Sequence, residues 1–227
     1  MNKRIELDKI IIDKDEQIAL KNRAAIDAAG VLALNLIGSP GCGKTMLLEQ
    51  TIVALHNPAD GREPLRVGVI EGDVQCTFDR DRIIAAGAAA IQIETDGACR
   101  LDAAMIEKAL PSIPLDEIDI LVIENVGNLV CPSGPVLGEH LKIAVVSTPE
   151  GDEKPAKYPT LFVRSDVVLI TKTDLLPHLD FDLDRAAGDC RKLNSKVDIF
   201  PLSAKTGEGM DAWLDHLRAL RDAHRKS

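Results

Sequence analysis

Eight consecutive residues, Gly38-Ser39-Pro40-Gly41-Cys42-Gly43-Lys44-Thr45, carry the most definite chemistry in the chain. They fit G-x-x-x-x-G-K-[ST] at every fixed position, a loop whose backbone N–H groups converge on phosphate oxygens. In that pattern Gly38, Ser39, Gly41, Cys42 and Gly43 form the cradle. Lys44 reaches the β- and γ-phosphates, and the Thr45 hydroxyl faces Mg2+. Cys42 fills a variable position, so its N–H is expected to matter and its thiol is not. A helix N-terminus beyond the loop completes such an anion site. Residues 31–37 (VLALNLI) suit a buried strand before the loop, and 46–52 (MLLEQTI) suit a helix after it. A nucleoside triphosphate is the expected ligand.

Other strands and helices must hold this loop in place. Strand-like runs fall at 31–37, 66–71, 89–94, 118–125, 142–148, 167–172 and 197–202, alternating with helical stretches at 44–56, 78–86, 102–110, 182–193 and 209–224. Runs such as ILVI (120–123) and VVLI (167–170) suit strands covered on both faces. The alternation implies βαβ units, hence an α/β fold with a doubly wound, mainly parallel seven-stranded sheet and helices on both faces. Residues 13–28 read as a surface helix within an N-terminal extension, 1–30, ahead of one globular domain, 31–227. Helix 209–224 places Trp213, Leu214, Leu217 and Leu220 at the spacing of a core-facing stripe.

Ligands in such folds lie beyond the carboxyl ends of the strands, so each end is informative. Strand 66–71 runs into Glu71-Gly72-Asp73, where Asp73 can contact magnesium or orient the attacking water. Strand 118–125 ends in Glu124-Asn125-Val126-Gly127, which offers Glu124 for magnesium and the Gly127 N–H for a γ-phosphate. Each also reads as an ordinary turn acid or glycine. Strand 167–172 leads into Thr171-Lys172-Thr173-Asp174. A carboxylate there accepts both donors of the guanine edge, and adenine would leave it unpaired. Lys172 would lie along the base and the phosphate loop. Ser203-Ala204-Lys205 follows the last strand, with its backbone near the guanine O6. The T-K-x-D and S-A-K pair resembles the guanine-recognition pair of GTPases, in which N-K-x-D is commoner, and it narrows the ligand to GTP.

Cys99 and Cys131 follow strands 89–94 and 118–125 at the same edge, but their spacing alone fits buried small side chains as well as ligands. The block E-N-V-G-N-L-V-C-P (124–132), with E-G-D at 71–73 and the run 150–159, resembles the nickel-incorporation GTPases of hydrogenase maturation, the HypB family of the SIMIBI class. The similarity spans about 31–217. It implies a GTP-hydrolysing metallochaperone switch with slow turnover, a homodimer formed with GTP, and Ni2+ or Zn2+ at the dimer interface. It also implies a nickel-carrying maturation partner and a [NiFe]-hydrogenase large-subunit precursor as recipient. Within that resemblance Lys44, Asp73 and Glu124 are the catalytic group, Thr45, Asp73 and Glu124 hold magnesium, and Cys99 and Cys131 are the metal ligands. The family's intervening His is Arg100 here, which offers no lone pair. Either a dimer assembles four thiolates, or the metal role has weakened. His140 is a candidate substitute ligand or a solvent-facing loop histidine.

Composition bounds these readings. A net charge of −9 argues against nucleic-acid and anionic-membrane binding, and no apolar run approaches membrane-spanning length. The N-terminus has no long apolar core of the signal-peptide kind, and five scattered cysteines form no disulfide framework, so a cytoplasmic chain is expected. Cys76 and Cys190 read as packed thiols, while Lys154 and Lys157 read as surface lysines or groups facing a dimer partner. Three alternatives stay open: a SIMIBI GTPase delivering another metal or cofactor, a metal-binding module with secondary nucleotide binding, and a small-molecule kinase that would not need the guanine-reading pair.

Overall fold

A computed structural model describes the backbone of residues 2–73 and 78–226 and the side chains of 14–72 and 80–226. One sheet of seven strands runs in the order β3-β2-β4-β1-β5-β6-β7. The strands are β1 (Leu32–Gly38), β2 (Val67–Asp73), β3 (Ala89–Glu94), β4 (Ile120–Glu124), β5 (Leu141–Ser147), β6 (Val167–Thr171) and β7 (Asp198–Pro201). Every adjacent pair is parallel. Parallel neighbours require crossovers over the faces, so the central strands are buried on both sides and need the near-continuous aliphatic runs they have.

The pleat of β1 divides the interior into layers. Leu32, Leu34 and Leu36 face α2 (Lys44–His56) and α8 (Met210–His224), packing on Leu47, Leu48, Ile52, Trp213 and Leu217. The Trp213 indole N–H donates to Thr51 Oγ1 at 3.2 Å, which satisfies the polar atom of a buried ring. Ala33 faces the other way, in a layer with Ile26 of α1 (Asn2–Ala28) and Ile106 of α4 (Ala103–Ala109). Ile37 packs on that same side against Phe162 of α6 (Pro159–Arg164) and against Ala186 and Cys190 of α7 (Leu183–Leu193). Asn35 is the polar member of this second set and is fully buried.

Helix α1 extends further toward the N-terminus than residues 13–28. Its later turns dock on the body: Asn22 Nδ2 donates to the carbonyls of Ala103 (2.8 Å) and Leu137 (2.9 Å), and Arg23 Nε donates to Gly138 O at 2.7 Å. Helix α3 (Phe78–Ala85) falls where the pattern placed it. The short helices α5 (Lys154–Lys157) and α6 were not legible as such, because each is too brief to show a period. Each carries a proline in its first turn, where the missing N–H costs nothing. Among the described residues no helix is long and apolar enough to cross a membrane.

Candidate functional site: nucleotide pocket and thiol pair

The phosphate loop closes the C-terminal end of β1, the central strand, and runs straight into α2. Gly41 (φ 74°) and Gly43 (φ 97°) take left-handed conformations that a side chain would strain. A Cβ on Gly38 would stand 2.6 Å from Val145 O and 2.7 Å from Cys42 Sγ, so the loop lies tight on β5. Lys44 Nζ is buried and donates to Gly38 O and Ser39 O, both at 3.2 Å. The Cys42 N–H closes a turn onto Ser39 O at 3.3 Å, while burial pushes its thiol up to about 11. That thiol is packed and neutral, as its variable position implied. Burial alone would raise Glu150. Hydrogen bonds from the Ser39 hydroxyl and from the Ser147 N–H and hydroxyl, with Lys154 nearby, hold it below the usual carboxylate range. A charged Glu150 therefore braces the loop from the end of β5.

Beyond the loop lies a cavity of about 550 Å³ whose wall includes Gly41, Gly43, Lys44, Thr45, Glu124 and Lys172. Thr45 Oγ1 stands 3.5 Å from Glu124 Oε1. Register pairs Glu71 with Glu124, and both carboxylates are buried at the cavity. The Asp73 side chain lies outside the described residues, as does Cys76. Glu71 was passed over in the sequence reading, although it shares the face of Asp73 by strand period. The cavity also brings in Arg82 from α3, held by Glu49 Oε2 at 2.6 Å. No arginine of this kind was evident from the sequence, since nothing local ties position 82 to a phosphate site.

The residues that the sequence assigns to guanine form the adjoining rim. Thr171 Oγ1 donates to Cys42 O at 2.6 Å, and Lys172 Nζ donates to Gly41 O at 2.6 Å. Lys172 itself is left-handed (φ 61°), and Thr148 Oγ1 holds its carbonyl at 2.7 Å. Ser203 Oγ donates to Asp174 Oδ1 at 2.7 Å and fixes that carboxylate. Ser203 is buried, Ala204 half-buried and Lys205 exposed. The T-K-x-D and S-A-K segments thus meet each other and the phosphate loop.

The structure brings Cys99 and Cys131 together although they sit on different loops. The two thiols lie close enough to interact, and Cys131 is the main cause raising the Cys99 pKa, with Arg100 opposing. Asn128 Nδ2 also donates to Cys99 O at 3.4 Å, and Asn128 Oδ1 accepts from Val130 N at 2.8 Å. Cys99 is exposed and Cys131 half-buried, whereas Cys190 is packed, its thiol pushed up by burial to about 12. Lys154 and Lys157 pair within the chain, with Glu150 and Glu153.

His140 lies elsewhere. It precedes β5, at the N-terminal end of the strands and away from the cavity, within reach of Asp27 and His224. Among the described residues this trio is a geometric candidate for metal binding, but its chemistry is wrong. The Ala33 N–H donates to His140 Nδ1 at 2.9 Å, so the ring proton sits on Nε2 and is given to Asp27 Oδ1 at 2.7 Å. A cation at Nε2 would demand an imidazolate or the loss of the Ala33 bond. His140 is a structural acceptor.

Residues 32–201 match the family described as CobW/HypB/UreG, nucleotide-binding domain. The chain belongs to the CobW/HypB/UreG family. Within it, the hydrogenase maturation factor HypB of Escherichia coli K12 is 45% identical over 219 residues, covering 96% of this chain and 73% of that relative. The crystal structure of HypB from Helicobacter pylori in complex with nickel superposes with a TM-score of 0.85 at 35% identity, covering 94% of this chain and 98% of that one. The hydrogenase maturation factor HypB from Archaeoglobus fulgidus gives 0.84 at 35% identity, with 92% and 100% covered. The family read from residues 124–132 and the matched family agree.

Proposed function

We propose that this chain is a GTP-hydrolysing metallochaperone switch that supplies nickel to a hydrogenase precursor. The observation that carries the reading is the mutual contact of Cys99 and Cys131, delivered by the loops after β3 and β4 beside the cavity of the phosphate loop. The HypB relatives and the nickel complex of one of them support it.

GTP would lie along the rim, its guanine read by Asp174 and by the backbone of Ser203, Ala204 and Lys205. Lys44 would turn from the Gly38 and Ser39 carbonyls to the β- and γ-phosphates, joined by the loop N–H groups. The cavity's hydroxyl and carboxylates are hard oxygen donors, which fit Mg2+. Thr45 and Glu124 would hold it, with Asp73 and Glu71 close enough in sequence register to orient water. Held by those residues, the ion would supply neutralisation of the triphosphate's charge. Arg82 is already matched by Glu49, and a slow intrinsic rate follows if that pair persists.

Nickel is the cargo. Two thiols from one subunit leave a four-coordinate ion half-served, and a symmetric second copy would supply the other two. Val130, Val136 and Val163 are more than half, half and half exposed, and Val130 adjoins Cys131, which leaves apolar surface for that copy. A nickel-carrying maturation protein would load the site and a hydrogenase large-subunit precursor would receive the ion, in the cytoplasm. Arg100, standing where the family has a histidine, favours a second reading in which a different metal or cofactor is delivered.

Equilibrium titration with nickel and with zinc, in GDP and in a non-hydrolysable GTP analogue, tests this. Nickel should bind tighter than about 1 µM in at least one state, and Cys99→Ser or Cys131→Ser should weaken it at least tenfold. Failure of both metals in both states refutes the thiol site. Zinc bound and nickel refused supports the second reading.

A further inference from the structure

Asn35 is one amide inside the aliphatic strand β1, and its burial requires partners. They form a continuous chain across the sheet. Asn125, on the wall of the nucleotide cavity, accepts with Oδ1 from its own Val126 N–H and from Leu101 N, both at 3.0 Å. Those two backbone donors fix the orientation of the Asn125 amide, so its Nδ2 must donate onward, to Asn35 Oδ1 at 3.3 Å. Asn35 Nδ2 in turn donates to Glu139 Oε1 at 3.1 Å. Register sets Lys142 of β5 beside Asn35, and Lys142 Nζ stands 3.6 Å from the same Glu139 oxygen. Nζ then donates to Ser133 O at 3.2 Å and Pro135 O at 2.8 Å. Asn35, Asn125, Glu139 and Lys142 are each at least 94% buried.

The two ends of this chain fall on the two thiol loops. Leu101 is two residues past Cys99, and Ser133 is two residues past Cys131. The nucleotide side enters at Asn125, between Glu124 and Gly127. Gly127 is packed so closely on the phosphate loop that a Cβ there would lie 2.9 Å from Pro40 Cγ and 3.1 Å from Pro40 N. A shift of this segment with nucleotide state therefore moves Asn125, which both holds the Cys99 loop at Leu101 and addresses Asn35.

We propose that Asn125, Asn35, Glu139 and Lys142 form a buried positioning relay that sets the separation of the Cys99 and Cys131 loops according to the nucleotide bound. The inference rests on the reading of those thiols as the metal site, and it adds which residues couple that site to GTP. Asn35 itself lines neither the cavity nor a thiol loop and meets the cavity wall only through its bond to Asn125, so its loss acts on both through the relay.

The test is nickel titration, followed by thiolate-to-nickel charge-transfer absorbance, on the full chain with GDP and with a non-hydrolysable GTP analogue. The ratio of the two nickel affinities is the coupling, and linkage makes it equal to the effect of nickel on nucleotide preference. Asn35→Leu, which keeps the branched outline but removes donor and acceptor, should bring the ratio to within twofold of unity. Asn35→Ser, smaller and able to keep one hydroxyl bond, should do the same and serves if the leucine variant does not fold. General destabilisation would weaken both states and leave the ratio alone. A folded variant that keeps the wild-type ratio overturns the relay, as does wild-type nickel binding indifferent to nucleotide; in both outcomes the thiol site survives. Absence of nickel binding refutes the thiol site instead. The relay is then decided by site-resolved alkylation of Cys99 and Cys131: a nucleotide dependence lost in the Asn35 variants upholds it, and one that is unchanged or lacking in the wild type overturns it.

Discussion

Replacing Lys142 by Met isolates the energetics of the buried pair. Methionine keeps the aliphatic stem and approximate volume but removes the charge and the donors to Ser133 and Pro135. Lys142 is 6% exposed and Glu139 5%, so solvent cannot take over the lost countercharge. Breaking one half of such a pair costs about 3–5 kcal/mol, chiefly because the remaining charge is stranded. For a chain of this length that corresponds to a fall of about 6–20 °C in Tm. In the wild type, burial draws the Lys142 pKa down and Glu139 opposes it. Urea unfolding read by the buried Trp213, the single tryptophan of the chain, measures the cost. A cost below about 1 kcal/mol would show that Glu139 and Lys142 are not a buried ion pair.

Three further outcomes are open to measurement. Gly127→Ala forces the loop after β4 off Pro40; overpacking of about 1–3 kcal/mol converts to a loss of about 5- to 150-fold in GTP-analogue affinity by calorimetry, and an unchanged affinity would contradict the packing. Asp174→Asn presents an N–H to the guanine donors and should weaken GTP at least about 100-fold without improving ATP, so retention of GTP binding would remove Asp174 from base recognition. His56 and His140 are held below their ordinary pKa by burial, with Arg66 adding to the effect at His56; at His140, Arg23 and His224 add to it and Asp27 opposes. Each also accepts a backbone N–H on a ring nitrogen, from Val67 and Ala33. Their unfolded forms take up protons first, so stability should decline as pH falls through about 6.5. His140→Gln should flatten that slope, and an unaltered slope would exclude the residue as a source.

What could be read in the sequence was whatever is local. The phosphate loop, the aliphatic strands and the strand-end segments each declare themselves within a dozen residues, and the contact of Lys172 with the phosphate loop followed from fold logic. Asn35 shows the limit. It is a single polar letter in VLALNLI, and its partners Asn125 and Glu139 lie 90 and 104 residues away. Only the sheet order, with β1 between β4 and β5, brings them together. Arg82 and Glu71 were missed for the same reason, since their meaning comes from the cavity they reach. The contact between Cys99 and Cys131 depends on two loops folding toward each other, which spacing does not encode.

The rim of the nucleotide pocket is stitched in advance: Thr171 to Cys42 O, Lys172 to Gly41 O and Ser203 to Asp174. A ligand entering this rim meets those contacts already made, so the encounter is set by diffusion and by the field of the protein. That field is repulsive, since a chain of net charge −9 meets a polyanion, and raising ionic strength should speed capture. Repulsion of this kind disfavours arrival of the more highly charged GTP, so preference for GTP over GDP falls on how long each one stays. The proposed switch would then keep time by residence, its GTP state lasting only as long as the faster of departure and hydrolysis allows.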